Sequence, residues 1–359
     1  MSEDVYRKLA QRLDAIPNGY PATESGVELR LLAKMFAPEE AALASVMRLT
    51  PETPIDIAAR AGMDPETAER ALGGMAKRGL IDARRDGGHR LFRLRPFVVG
   101  IYEAQLPRLD VEMATLFEEY YQETRAGIVY DAPSVHRVVP VGAAISVDLG
   151  ISPVERITEM IEKARSWAVR DCICRVQQHL IGKGCDRPVE NCLSFAPVEG
   201  AFSQSGTTRA ISKDEALRIM YEAEEAGLVH TVGNYRDGVS YVCNCCTCCC
   251  AILRGVSEYS NPSAVARSGF HAAVDAELCL GCGDCLERCS FDALSVPEEV
   301  CVVDEPRCVG CGLCTTTCPT GALHLQRLPE EAAPAPPLDP ADWMRQRARA
   351  RGIDLSDLL

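Results

Sequence analysis

Not one cysteine precedes Cys172, although the chain has 19 of them. No uninterrupted apolar run approaches the roughly 18 residues a membrane-crossing helix needs, so a transmembrane span is not expected. The opening Met1-Ser2-Glu3-Asp4-Val5-Tyr6 lacks the basic-then-apolar pattern of a secretory leader, and a cytoplasmic location is expected. Positive charge is in deficit: 38 Lys and Arg against 51 Asp and Glu leave a net charge of −13. That balance disfavours broad contact with nucleic acid or an anionic membrane, while leaving room for a local basic face. There is no nucleophile triad, no phosphate-binding glycine loop and no substrate-binding signature, so independent catalysis is not expected. An odd number of cysteines cannot pair completely as disulfides, and the cytoplasm keeps thiols reduced. The cysteine clusters therefore point to metal ligation.

What remains is ordinary globular material, 47% hydrophobic and 25% charged over 359 residues, enough for two or three cores. In residues 1–105, Thr53-Pro54-Ile55-Asp56 opens a short helix that stops near Gly62, and Asp64-Pro65-Glu66 opens a second that stops at Gly79. Leu80-Ile81-Asp82-Ala83 and Leu91-Phe92-Arg93-Leu94 flank a turn at Asp86-Gly87-Gly88 and read as a hairpin. Helix, helix, hairpin in that order resembles a winged helix-turn-helix domain of the MarR/ArsR kind. Residues 106–127 carry Leu109, Met113, Leu116, Phe117 and Tyr120 at helical spacing. In winged-helix dimers such a helix forms the subunit contact, which would make a homodimer; the alternative is packing on its own domain.

Residues 128–268 read as a cysteine-rich α+β domain. Ser152-Pro153-Val154-Glu155 and Ser212-Lys213-Asp214-Glu215 are capping boxes for two helices, the second followed by the strand-like Leu228-Val229-His230-Thr231-Val232. Residues 329–359 begin as a Pro/Ala/Glu linker, expected to be extended and mobile. They end in a tail with Arg345, Arg347, Arg349 and Arg351, which reads as a short basic helix and is expected to be solvated.

Residues 269–328 hold the strongest signal. Cys279-x2-Cys282-x2-Cys285-x3-Cys289 recurs, 29 residues later, as Cys308-x2-Cys311-x2-Cys314-x3-Cys318. Val274, Asp275, Gly281, Gly283 and Ala293-Leu294 recur with it, which marks an internal duplication. Cysteines three apart wrap three irons of a cubane, and the fourth begins a helix that points away to the other cluster. This assigns Cys279, Cys282, Cys285 and Cys318 to one [4Fe–4S] cluster, and Cys308, Cys311, Cys314 and Cys289 to a second. Zinc ribbons pair two C-x2-C units instead, a different pattern. Residues 270–327 closely resemble a bacterial dicluster [4Fe–4S] ferredoxin, which implies a pseudo-symmetric βαββαβ fold and low-potential one-electron transfer. Ser290 stands where the second pass has Pro319, so the two potentials are expected to differ. Between Phe270 and Arg327, nine Asp/Glu face three Arg, a net −6 that favours redox partners with a basic docking surface.

Two further groups supply ten thiols: Cys172, Cys174, Cys185 and Cys192, then Cys243, Cys245, Cys246, Cys248, Cys249 and Cys250. The first is expected to form a third [4Fe–4S] cluster, with zinc as the alternative. The second is read either as cluster ligands or as a dithiol or metal-transfer site. Neighbours such as Cys245 and Cys246 point to opposite faces of a strand and would serve different sites. Cys301 is expected as a buried apolar cysteine. Of the scattered histidines, which include His230, His271 and His324, only His179 is a candidate ligand.

The expected fold class is thus multidomain α+β, and the expected function an iron–sulfur electron-transfer protein. The alternative is a redox-sensing regulator with the winged helix on DNA. Arg84, Arg85, Arg90, Arg93 and Arg95 would reach phosphate, but Asp64, Glu66 and Glu69 would place acid in the major groove. An activase that reduces another enzyme's metal cofactor fits the same electron chemistry.

Overall fold

The computed structural model describes residues 2–144, 156–203, 205–329, 331–333 and 335–359. Contacts divide the chain into two compact units: Met1–Ala132 with Leu180–Gly182 and Met344–Leu359, and Pro133–His179 with Lys183–Trp343. Helices and strands mix in an α+β chain. Among the described residues no helix is long and apolar enough to cross a membrane.

The first unit starts with α1 (Ser2–Asp14), α2 (Val27–Met35) and α3 (Pro38–Ala44). Helix α4 (Pro54–Ala61) begins where the Thr53 hydroxyl accepts the Asp56 N–H at 3.2 Å, and it ends at Gly62 in the left-handed conformation. Helix α5 (Pro65–Lys77) begins where the Asp64 carboxylate accepts the Thr67 N–H at 3.0 Å. Strands β1 (Ile81–Asp86) and β2 (His89–Leu94) pair antiparallel around Gly87 and Gly88, both at positive φ as a two-residue hairpin turn requires. Helix α6 (Val111–Glu123) then buries Met113, Phe117 and Tyr120. The Phe117 ring stacks on Tyr102 with centroids 3.9 Å apart, and Tyr120 packs on Tyr20. The apolar stripe considered as a subunit contact is therefore covered inside its own unit.

The second unit is built on a seven-stranded mixed sheet. Its elements run β3 (His136–Val139), α7 (Ile157–Lys163), β4 (Ser166–Asp171), α8 (Ile173–Leu180), β5 (Glu190–Ala196), β6 (Arg209–Ile211), α9 (Lys213–Glu225), β7 (Val229–Gly233), β8 (Tyr241–Cys245), α10 (Ala251–Ser257) and β9 (Val265–Ala266). Strand order is β6-β4-β5-β8-β7-β3-β9. Only β3–β9 is parallel among the pairings. Val169, Leu193, Val232 and Val242 pack under Ile157, Ile161, Ile219 and Met220 of α7 and α9. The Ser212 hydroxyl caps α9 as its sequence implies; the box at Ser152–Glu155 lies outside the described residues.

The same unit continues into β10 (Phe270–Val274), α11 (Asp284–Arg288), β11 (Leu294–Ser295), β12 (Val302–Val303) and β13 (Leu323–Arg327). Strand β10 pairs with β13, and β11 with β12. Where βαββαβ symmetry implies a second helix there is only a 3-10 turn, Thr315–Thr317. The reason is local: the three threonine hydroxyls bond back to the carbonyls of Gly312, Leu313 and Cys314, which competes with helical pairing.

The tail forms the basic helix that its sequence suggests, α12 (Pro340–Ala350), but departs from expectation in its burial: Arg347 is wholly buried rather than solvated. Its guanidinium donates to the carbonyls of Pro17, at 2.8 Å, and Asp131, while Arg351 donates to Ile16 at 2.7 Å, all within the first unit. The end of the linker is tied down too, since Pro337 and Leu338 accept the N–H groups of Arg236 and Asp237. Removing a buried charged donor strands these acceptors. Arg347→Ala is thus expected to cost about 2–3 kcal/mol in denaturant unfolding, whereas a solvated tail would give no change.

Candidate metal centres

The duplicated loops close around two cavities. The first is lined by Cys279, Cys282, Cys285 and Cys318, the second by Cys289, Cys308, Cys311 and Cys314. These are the two sets that spacing assigns, each with one cysteine from the opposite pass. Backbone amides point at the sulfurs in matching positions: Cys301 N–H to Cys279 Sγ at 3.4 Å, and Ala272 N–H to Cys308 Sγ at 3.5 Å. Ala293 N–H also reaches Cys289 Sγ, and Leu323 N–H, one residue past the equivalent position, reaches Cys318 Sγ, each at 3.4 Å. Such donors favour thiolate over thiol.

Glycine makes the loops possible. Gly281 and Gly310 sit at φ 66° and 68°, and an added Cβ would fall on the carbonyl oxygens of Glu299 and Phe270. The residues thus fit the bound group that the spacing implies: the four assigned thiols in each cavity, inward amides, and a backbone too close for any side chain. Burial pushes the Cys311 thiol up to about 12 and raises Cys285 and Cys289. Deprotonation must therefore accompany metal binding. Cys301 is buried, as expected, but it also lines the first cavity, with its Sγ 3.7 Å from that of Cys285.

The two cavities face different surroundings. Around the first, Leu278, Leu280 and Leu286 are exposed, Leu280 by 70%. The second is held against the sheet domain. Cys311 O accepts the Val141 N–H at 2.9 Å, Val309 O accepts Ser268 N–H, and Gly312 lies against Val141 and Ala144. Arg288, which lines this cavity, donates to the carbonyls of Glu224 and Glu225 at the end of α9.

The ten other thiols are sorted differently from their order in sequence. Of Cys172, Cys174, Cys185 and Cys192, expected to form one site, the first two and Cys192 stay neighbours while Cys185 leaves them. Cys185 instead joins Cys246, Cys248 and Cys249, all four sulfurs lying within 4.8 Å of one another. The sulfurs stand 3.9 Å apart for Cys185–Cys246, 3.7 Å for Cys185–Cys249 and 3.8 Å for Cys248–Cys249. Four sulfurs at about 2.3 Å from a single tetrahedral ion would stand about 3.8 Å apart. Arg187 donates to Cys248 Sγ at 3.6 Å, and the buried Arg175 to Cys246 Sγ at 3.7 Å.

The remaining six thiols form a closed circuit of neighbours: Cys172, Cys174, Cys250, Cys245, Cys243, Cys192 and back to Cys172. Strand pairing causes this. Strands β4, β5 and β8 are neighbours, with Leu193 opposite Val242. Leu193 and Val242 enter the core under α9, so Cys192, Cys243 and Cys245 project from the opposite face. That alternation separates Cys245 from Cys246, as the sequence implies.

His179 is not among either set; its Nε2 binds the Cys185 carbonyl at 2.8 Å and so steadies that loop. His230 is a buried, hydrogen-bonded residue, on Asn244 and Glu224. His136, which sequence reasoning passed over, is buried between Tyr241 Oη at 2.9 Å and Thr231 Oγ1 at 3.2 Å, and Thr231 Oγ1 lies 3.6 Å from Cys245 Sγ.

Residues 272–325 match the family model for the 4Fe-4S dicluster domain, which identifies a ferredoxin-like iron–sulfur segment. No curated protein and no solved structure matches the chain.

Two outcomes follow from this geometry. Gly310→Ala, strained in backbone and colliding with Phe270, is expected to reduce iron retention to well under half of wild type, measured by iron per chain. Burial lowers the His136 pKa to about 4, below the roughly 6.5 of an unfolded histidine. The unfolded chain therefore binds the proton first, so this contribution is complete above about pH 6.5 and is lost as pH falls toward 4. Thermal unfolding of the second unit should shift down over that window, and His136→Gln should flatten the shift.

Proposed function

We propose that this chain passes single electrons at low potential between a donor oxidoreductase and an acceptor protein. In this reading Cys279, Cys282, Cys285 and Cys318 hold one [4Fe–4S] cluster, and Cys289, Cys308, Cys311 and Cys314 hold another. When bound, such clusters supply reversible one-electron chemistry. The observation that carries the reading is the pair of cavities, each lined by its four assigned cysteines, with Cys301 beside the first, and receiving equivalent amides from a duplicated backbone.

The chain's own residues divide the remaining work. The exposed Leu278, Leu280 and Leu286, beside the exposed Glu277, Asp284 and Glu287, give the first cavity an apolar patch with an acidic rim. A basic partner surface fits it. The close Sγ spacing of Cys185, Cys246, Cys248 and Cys249 supports a single tetrathiolate ion there, zinc or iron, in place of a third cubane.

The hairpin and helices of residues 53–94 serve this reading as a winged-helix-like protein-contact module. Their charges weigh against DNA: Arg84 pairs with Asp86, and Arg93 and Arg95 pair with Asp82. Glu66 and Glu69 stand exposed on α5.

Anaerobic purification should yield brown protein with at least about eight irons per chain and reducible paramagnetic centres. Cys318→Ser and Cys289→Ser should each alter a different one of two spectroscopic signals. Electron uptake from a basic donor should slow severalfold between low and high salt. Colourless protein containing zinc alone would end the proposal.

A further inference from the structure

The six-thiol circuit has no part in the electron route proposed above. We propose that Cys172, Cys174, Cys192, Cys243, Cys245 and Cys250 together hold one polynuclear cluster of thiophilic metal ions, distinct from the neighbouring four-thiol site.

The count of sulfurs carries the argument. A single four-coordinate ion uses four thiolates, and so does one cubane; either would strand two members of a closed circuit. All six are used when two metal centres share bridging atoms. Two tetrahedral ions joined by two bridging sulfurs present six thiolate positions. Two iron–sulfur cubes joined through one shared sulfide also keep six. Both are polynuclear, and both need soft ligands alone, which is what the circuit offers.

The surroundings are those of an anionic centre. Arg175 is wholly buried, and its charge acts on Cys172, Cys245 and Cys246, so it stands between the two thiol sets. Its terminal nitrogens bind the carbonyls of Pro188 and Asn244, but its Nε is buried with no acceptor among the described residues. A sulfide or metal-bound thiolate would supply one. Arg170 adds a second positive charge near Cys192.

Access and rigidity are both present. Cys172, Cys245 and Cys250 are buried, whereas Cys174, Cys192 and Cys243 are partly exposed and leave an entry side. Cys192, Cys243 and Cys245 lie on paired strands, which fixes their sulfurs. All six are free of disulfides.

The test uses the full-length chain, purified without oxygen, alongside a Cys192→Ser/Cys243→Ser double variant. Metals and acid-labile sulfide are counted per chain in both. Wild type is expected to carry at least two more metal ions than the variant, with the ferredoxin-type paramagnetic signals unchanged between them. A parallel fall in sulfide identifies an iron–sulfide core, and an unchanged sulfide content identifies a sulfide-free thiolate cluster. Equal metal content in the two proteins would overturn the proposal. So would mass spectrometry of the alkylated wild-type chain showing these six cysteines joined as disulfides. Should the variant misfold, wild type alone decides: about eight irons plus one further ion, and no more, leaves the circuit empty and the proposal wrong.

Discussion

A sulfur ligand holds its negative charge in a protein interior only when positive charge stands against it, and that requirement organises the second unit. The chain is already anionic at −13, so eighteen clustered thiols cannot all ionise without metal. Burial pushes Cys311 up to about 12 and raises Cys285 and Cys289 as well. Cys318 is lowered by amides and Thr320 around its sulfur, and two further exceptions sit beside a guanidinium. Cys172 and Cys246 accept from neighbouring thiols and feel the buried Arg175, and both are held well below the usual thiol range. Metal ions would supply the rest of the positive charge and displace the protons. Loading and folding of this unit are then a single linked equilibrium.

The ferredoxin-like segment was legible because its information is local. Three-residue spacing, glycines between cysteines and a 29-residue repeat all lie within one short stretch. Helix starts at Thr53, Asp64 and Ser212 were legible for the same reason, since a cap reaches only to the next turn.

The sorting of the other ten thiols was not legible. It depends on β5 pairing with β8, elements some fifty residues apart in sequence, and on Cys185 closing onto the loop after β8. Only the Cys245–Cys246 division, a consequence of strand alternation, could be read in advance. The tail misled for a different reason. Four arginines look solvated by composition, yet Arg347 is the donor that the carbonyls of Pro17 and Asp131 need. Composition records how often a residue type is buried, not which acceptors await it.

The two halves of the duplication differ where their surroundings differ. Exposed Leu280 corresponds to Val309, which is 4% exposed, and exposed Asp284 corresponds to Leu313, which is 1% exposed. The second loop is apolar and close-packed against the sheet domain, where Cys311 O and Val309 O accept backbone hydrogen bonds. The first presents carboxylates and a protruding leucine to solvent. Gly281 and Gly310 are unchanged because both loops still press on a carbonyl, of Glu299 in one half and Phe270 in the other. What the halves retain serves the sulfurs, and what they have changed serves their neighbours. A segment packed on one side and open on the other has an inward and an outward end, which an isolated symmetric module lacks.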